Sequence, residues 1–347
     1  MKEQQEQHNL IFNWPGNIVR LPLHVGAAMA WYDLKLPRPD EIIASSAGAI
    51  AGSAIIGWDK KSLDEAFRII GELSPDDIFS YRRELKVKLG LLGITTVGLV
   101  GTALVMFGWN LSKKEKAAFG LAGLVALFGA GATVGKELLH SESQLSAAPL
   151  KNLLSRKLDF PAIFKSKIRL SVIVADIAKP GEVIFHNHDP LNNSERWVKI
   201  LLASARVPGH FPFVQIDELN TVDGEVWTDF PIRQMRQYNK IVRFDYWPPL
   251  LPEPSPKEWI PDLFRSFDIM RGHCTQTKMR CYEIERQHDP SLPGIFYIRL
   301  NQRLLDAMPK FQLHNFTPDN MVTMQNIGYA AITEQENEIR RYLEKTS

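Results

Sequence analysis

Short apolar runs alternate with stretches of helical spacing along most of the chain. The predicted strands are Asn9–Asn13, Ile42–Ile43, Lys167–Ala178, Glu182–His186, Lys240–Tyr246 and Gly294–Leu300. The predicted helices are Val19–Asp33, Ala47–Gly57, Lys60–Leu73, Glu195–Ala205, Trp259–Gln287 and Pro318–Glu344. Strands that alternate with helices usually form a parallel sheet with helices on both faces. The pattern therefore predicts an α/β fold with a mainly parallel central sheet.

One segment departs from this alternation. Residues 89–111 and 117–135 contain no charged residue, and the short charged stretch 112–116 separates them. A helix of about 20 apolar residues is long enough to span the hydrocarbon core of a bilayer. Ten glycines fall between residues 89 and 135, and glycine is more frequent in membrane helices than in soluble ones. The sequence predicts a hydrophobic helical hairpin over 87–138, inserted into an α/β domain of residues 9–347.

Two interpretations of the hairpin remain open, a membrane anchor and an apolar cap in a soluble protein. Five basic residues flank its base, more than the three in its tip: Arg82, Arg83, Lys86, Lys88 and Lys136. Because basic residues favour the cytoplasmic side, we expect a membrane-associated protein with its α/β domain on that side.

The net charge, the N-terminal stretch and the two cysteines bear on the partners and the redox state of the protein. The formal net charge is +2, so nothing predicts a nucleic-acid partner. The polar stretch Met1–Asn9 lacks the apolar core of a signal peptide. Cys274 and Cys281 lie two helical turns apart, too far for a disulfide, and we expect reduced, buried thiols.

A candidate nucleophile follows the second predicted strand. Ser46 stands between that strand and an apolar helix, with the small residues Ala44, Ala47 and Gly48 around it. A sharp strand-to-helix turn projects its central side chain outward at the positive end of the helix. Gly-x-Ser-x-Gly is the usual pattern for this turn, and Ala44 takes the place of its first glycine. The sequence favours Ser46 as a nucleophilic serine.

Two later segments carry further polar candidates. The helix end and loop Ala203–Pro212 ends in Phe-Pro, and Asp223-Gly224 forms a predicted turn. A Ser–His–Asp triad is an alternative, with His273, His288 and His314 after the aspartate; packing or surface roles are favoured for these histidines. His186 and His188 have a spacing seen in metal sites, but no partner at fixed spacing accompanies them. No cofactor and no metal are expected.

The three segments, in this order, resemble the patatin-like phospholipase family. Ser46–Ile50 matches its nucleophile block, Ala203–Pro212 its third block, and Asp223-Gly224 with Pro231 its aspartate block. The resemblance covers Leu10–Ile232. It implies a three-layer patatin-like fold in which Ser46 attacks a lipid ester and Asp223 acts directly as the base.

The family's oxyanion loop corresponds here to residues 16–21. The resemblance implies oxyanion donors from Gly16, Asn17, Ile18 and Ala47, with supporting roles for Arg20, Gly48 and Gly224. This loop keeps one of the family's glycines and its arginine. Glu225 and Asp229 replace a glycine and an asparagine of the family pattern, which predicts extra negative charge beside Asp223.

The resemblance implies a lipid acyl hydrolase of the phospholipase A or lysophospholipase type, acting on membrane phospholipid or another acyl-ester lipid. Two other functions remain open. One is a catalytically silent, membrane-anchored protein that uses the fold for binding or as a scaffold. The other is a soluble serine esterase with a helical cap.

Overall fold

The structure, a computed structural model, describes residues 9–17, 20–78, 80–81, 145–179, 181–206, 211, 213–246, 275–309 and 316–345. Several features predicted above lie outside these ranges, among them Ile18, Cys274 and the hydrophobic segment 87–138. Numbering of strands and helices follows the described chain.

Within the described ranges, most strands belong to one sheet. The strands are β1 Leu10–Trp14, β2 Glu41–Ser45, β3 Ser80–Tyr81, β4 Leu145–Ser146, β5 Arg169–Asp176, β6 Glu182–His186, β7 Val214–Ile216, β8 Leu219–Asp223, β9 Lys240–Phe244 and β10 Ile295–Ile298. The sheet order is β10-β9-β1-β2-β5-β8-β7, and β6 pairs with β5. Strands β10, β9, β1, β2 and β5 are parallel, whereas β6, β7 and β8 pair antiparallel with their neighbours. The predicted mainly parallel sheet is confirmed.

Helices flank this sheet. They are α1 Arg20–Asp33, α2 Ser46–Ile55, α3 Lys60–Gly71, α4 Pro75–Ile78, α5 Ala148–Lys157, α6 Phe160–Lys165, α7 Ser194–Ser204, α8 Ile232–Met235, α9 275–288, α10 Gln302–Asp306, α11 Pro318–Glu334 and α12 Glu336–Glu344. Helix α1 is buried from Arg20 to Trp31 and packs against α3 and α11. Such complete burial explains why its sequence shows so little amphipathic periodicity.

Both faces of the sheet are covered by apolar side chains. On one face, isoleucines from four neighbouring strands pack against Phe230, Met235 and Tyr282; these are Ile11, Ile43, Ile173 and Ile241. On the other face, Phe12 contacts Trp31 edge to face, with ring centroids 4.8 Å apart. Two covered faces make the three-layer α/β arrangement that the sequence predicts.

The predicted burial of the Cys281 thiol is wrong, whereas its predicted reduced state agrees with the structure. Its side chain is exposed and free, on helix α9, whereas the adjacent Tyr282 is 1% exposed and belongs to the core. Neighbouring helical positions point about 100° apart, so the burial of Tyr282 turns Cys281 toward solvent.

A separate two-stranded ladder joins the two sides of the gap at 82–144. Ser80 pairs with Ser146, and Tyr81 pairs with Leu145, in antiparallel register. The residues on either side of 82–144 are therefore neighbours in space, and the hairpin itself stays a prediction. No helix in the part that the structure describes has both the length and the apolar character needed to cross a membrane.

Candidate active site

Strand β5 brings the ends of two other strands together. Strands β2 and β6 both pair with residues 171–173 of β5, so they lie along opposite edges of it. Strands β6 and β8 likewise both pair with residues 174–175. Consequently β2 and β8 lie along the same edge of β5, one after the other. Ser45 pairs with Ile173 and Asp223 with Val174, so the two strands meet at consecutive residues.

Ser46 sits at the junction of β2 and α2 with a strained backbone. Its backbone φ is 50°, in the left-handed region that residues other than glycine rarely adopt. Strain of this kind is concentrated at functional sites, and a nucleophile on a strand-to-helix turn is a recurrent case. Ser46 is buried, and α2 begins at this residue.

Ser204 supports the turn. The Ser46 backbone N–H donates to Ser204 Oγ at 2.8 Å, and Ser204 Oγ donates to the Ile173 carbonyl at 2.7 Å. A single hydroxyl thus ties the turn to β5 at its pairing point. Ser204 belongs to the predicted block Ala203–Pro212, but its supporting role depends on a contact between residues 158 positions apart.

The loop after β1 approaches Ser46 closely. A Cβ placed on Gly16 would lie 2.3 Å from the Ser46 Cβ and 2.7 Å from Glu225 Oε1. Only glycine fits at this position without displacing both neighbours. Asn17 follows with φ 93°, a conformation that asparagine tolerates better than most residues. The predicted oxyanion donor Gly16 therefore lies beside the predicted nucleophile.

His24 holds the peptide before Gly16. Its Nε2 lies 2.9 Å from the Pro15 carbonyl oxygen, and its ring stacks on Trp14 with centroids 4.9 Å apart. Complete burial lowers the pKa of His24 to about 3, so the ring is neutral and its Nε2–H donates. Because the C=O and N–H of a trans peptide point in opposite directions, this bond also orients the Gly16 N–H.

The remaining predicted site residues lie around the same junction. Ala47 is buried in the first turn of α2, and Gly48 packs against the Trp14 carbonyl, where a Cβ would lie at 2.3 Å. Arg20 begins α1, and its N–H donates to the Asn17 carbonyl at 2.8 Å. Gly224 lies against the Ile173 carbonyl, where a Cβ would lie at 2.6 Å.

Glu225 enters the site in a way that sequence reasoning did not anticipate. Its Oε1 accepts hydrogen bonds from the Gly16 backbone N–H and, at 3.0 Å, from Ser45 Oγ. Its own N–H donates to Asp223 Oδ1 at 2.9 Å. The Glu225 side chain is 7% exposed and lies between the predicted base and the predicted oxyanion loop.

The second extra carboxylate, Asp229, is neutralised by a cation. Arg243 Nη2 lies 3.1 Å from Asp229 Oδ2, and both side chains are buried. Burial alone would lower the pKa of Arg243, but the charge of Asp229 raises it above its usual value. Arg243 also donates to Asn13, which joins β9 to β1. Local sequence does not indicate this arginine, because it lies 14 residues beyond its carboxylate, in the next strand.

The described histidines that were considered for a catalytic triad or a metal site either form hydrogen bonds elsewhere or are exposed. His186 Nδ1 lies 2.7 Å from Ser171 Oγ, His188 Nε2 lies 2.8 Å from the Ser166 carbonyl, and His288 is exposed. His273 and His314 lie outside the described residues. Over the described ranges, no group of three or more His, Cys, Asp or Glu side chains is placed to hold a metal ion.

Comparison with known proteins gives one family. A model of the patatin-like phospholipase family matches residues 18–236, which is more than half of the chain and contains Ser46, Ser204 and Asp223. Among solved structures, the crystal structure of VipD from Legionella pneumophila matches with 14% sequence identity and a TM-score of 0.41. That match covers 95% of this chain and 66% of the VipD chain, slightly under two thirds of its length. No curated protein sequence matches the chain.

Proposed function

This chain belongs to the patatin-like phospholipase family, and from that premise we propose that it hydrolyses lipid acyl esters with Ser46 as nucleophile and Asp223 as base. Family membership supports lipid acyl hydrolysis in general. The Ser–Asp pair and the choice of a membrane lipid are the proposal's own.

The first half of the reaction forms an acyl-enzyme. Ser46 Oγ attacks the ester carbonyl carbon while the hydroxyl proton passes to the Asp223 carboxylate. The carbonyl oxygen becomes an oxyanion, which backbone N–H groups at Gly16 and Ala47 stabilise. When the tetrahedral intermediate collapses, the ester C–O bond breaks and the leaving alcohol takes the proton from Asp223.

The second half releases the fatty acid. Water attacks the acyl carbon on Ser46 and gives a proton to Asp223, and a second oxyanion forms in the same place. Collapse then breaks the bond to Ser46 Oγ, which recovers its proton from Asp223. One group serves as base and then as acid in each half.

One observation carries the proposal: Ser45 and Asp223 pair with consecutive residues of β5, next to a serine whose φ is 50°. The strained turn is the arrangement that projects a nucleophile, and the shared edge of β5 brings the carboxylate-bearing strand to it. No histidine is required by this arrangement.

An activity-based alkyl fluorophosphonate tests the proposal. We expect labelling of the wild type on Ser46, located by mass spectrometry of the peptide, and none of Ser46→Ala. Ser155→Ala is the matched control, since it removes an exposed hydroxyl on α5 and leaves the nucleophile and its neighbours unchanged. Asp223→Asn keeps an oxygen that accepts from the Glu225 N–H but removes the base. Its rate of labelling should fall by about 10²-fold or more. Labelling that survives Ser46→Ala would exclude Ser46.

A lipid surface is the proposed place of action, on the cytoplasmic side. Support comes from the apolar segment 87–138 and its basic flanks. Two exposed apolar residues also follow Glu225 directly, Val226 at 55% and Trp227 at 45% exposure. Flotation with liposomes of zwitterionic and anionic phospholipid tests this step, and a protein that stays at the bottom of the gradient contradicts it. Selective permeabilisation followed by protease digestion tests the side.

One observation favours the alternative of a binding protein without turnover. The Gly16 N–H, which the mechanism assigns to the oxyanion, already donates to the Glu225 carboxylate. Lipid binding by the wild type without labelling of any variant would favour that alternative.

A further inference from the structure

Glu225 is a buried carboxylate that the proposed mechanism does not use. It stands in a short 3-10 turn, Gly224–Val226, directly after the predicted base. Oε1 receives two hydrogen bonds, one from the Gly16 N–H and one from Ser45 Oγ at 3.0 Å. A carboxylate that accepts hydrogen bonds within a buried site is held strongly, because charge-assisted bonds exceed neutral ones in strength.

Its carboxylate and the Ser46 side chain both approach Gly16. The Ser46 Cβ and Glu225 Oε1 both lie within 3 Å of the position that a Cβ on Gly16 would take. The two groups therefore border the same Cα atom, and the N–H of that residue donates to Glu225. Helix α2 begins at Ser46, and the start of a helix favours negative charge.

These contacts are the ones that a reacting ester needs. Its carbonyl oxygen becomes negative beside Ser46 and requires the same N–H donor. Two oxygens cannot occupy that place together. We propose that the Glu225 carboxylate occupies the oxyanion hole of the resting enzyme, and that substrate must displace it before acyl transfer begins. This inference rests on the proposed function, and it makes Glu225 an internal competitor of the substrate.

The contacts of Glu225 also predict how its carboxylate leaves the oxyanion hole. Among the described residues, Gly16 N–H and Ser45 Oγ donate to Oε1; Gly16 lies in the loop after β1, and Ser45 is the last residue of β2. Rotation of the Glu225 side chain frees both donors at once, while the Glu225 N–H keeps its bond to Asp223. Withdrawal of Glu225 is therefore compatible with an intact base.

Labelling rates with a soluble alkyl fluorophosphonate test this inference. The reagent's P=O must enter the oxyanion hole, so it competes with Glu225 directly. We expect Glu225→Ala to accelerate labelling of Ser46 about ten-fold or more, and Glu225→Gln to give an intermediate rate, since the amide keeps an acceptor without the charge. Glu218→Ala removes an exposed glutamate on the turn between β7 and β8 and should label as the wild type does.

A second measurement uses octanoate, a soluble carboxylate that resembles the product. It should slow the labelling of Glu225→Ala and leave the wild type unaffected, because the wild-type hole is already filled. If Glu225→Ala fails to fold, the labelling rate of the near-isosteric Glu225→Gln tests the inference instead. Circular dichroism is the control for folding in both variants.

The outcomes separate this inference from the proposed function. Labelling of Ser46 at equal rates in the wild type and the Glu225 variants overturns the internal competitor and leaves the hydrolase intact. Slower labelling in the variants overturns it too and gives Glu225 an assisting role. No labelling in any folded variant refutes the proposed function itself. Faster labelling that depends on Ser46 supports both.

Discussion

Arg243 and Asp229 form a buried ion pair, with Nη2 and Oδ2 3.1 Å apart and side-chain exposures of 2% and 5%. Removing one partner leaves the other group buried without its opposite charge, which is more costly than losing a surface pair. We expect Arg243→Met to lower the free energy of unfolding by about 3–5 kcal/mol in urea titrations.

The double variant Arg243→Met with Asp229→Asn tests the cause of that loss. It removes both charges and should recover part of the stability. Arg68→Met is the surface control, since Arg68 pairs with Glu65 and Glu72 on the exposed face of α3 and should change little. Equal losses in Arg243→Met and Arg68→Met would contradict the importance of burial.

Acid should destabilise the protein through His24. The unfolded chain protonates this residue below pH 6.5, whereas burial keeps the folded-state pKa at about 3. Between these two values the unfolded state binds the extra proton, so stability falls as pH falls, by up to about 1.4 kcal/mol per pH unit. Above pH 6.5 this residue contributes no pH dependence.

His24→Gln isolates that contribution. Glutamine does not titrate and still offers an N–H to the Pro15 carbonyl. Urea titrations at about pH 7 and about pH 5 should show a smaller loss of stability on acidification for the variant than for the wild type. Parallel losses in the two proteins would assign the acid sensitivity to other residues.

Gly16→Ala should impair the reaction more than the fold. The new Cβ would meet the Ser46 Cβ at 2.3 Å, so the loop has to move away from the nucleophile. Loss of one oxyanion donor lowers rates by about 10²–10³-fold, and we expect a decrease of that size in labelling. Gly294→Ala is the control, because its nearest neighbour would lie 3.6 Å away. Labelling of Gly16→Ala at the wild-type rate would remove Gly16 from the oxyanion hole.

Ser204→Ala should loosen the strained turn. It leaves the Ser46 N–H without its acceptor and removes one donor from the Ile173 carbonyl. An unsatisfied buried group costs about 1–3 kcal/mol, measurable by thermal or urea unfolding. Ser155→Ala, on the exposed face of α5, provides the comparison. A variant as stable as this control would show that another group supports the turn.

Local patterns predicted much of the fold. Runs of apolar residues located strands such as Glu182–His186 correctly, and the small residues around Ser46 predicted the strand-to-helix turn. Both signals depend on neighbours in sequence. The family model matches residues 18–236, in agreement with the family that the three motifs indicate.

Long-range contacts could not be predicted in the same way. Glu225 accepts from a residue 209 positions earlier, and Arg243 donates to one 230 positions earlier. Nothing in the local sequence around Glu225 distinguishes a buried acceptor from a solvated charge on a turn. The Cys281 prediction failed for a related reason, because helix α9 presents Tyr282 rather than its neighbour to the core.

The meeting of β2 and β8 on one edge of β5 has a consequence for how the enzyme should fail. Strand β2, which leads into Ser46, and strand β8, which ends at Asp223, pair with consecutive residues of β5. The distance between their ends is therefore set by the backbone of β5. Strand spacing is fixed by backbone geometry and hydrogen bonds, not by the packing of surrounding helices. Partial loosening of the outer layers therefore leaves this distance unchanged until β5 loses its partners. Under the proposed mechanism, acyl transfer therefore reports on the integrity of the central sheet together with the Ser204 bond that holds the Ser46 turn.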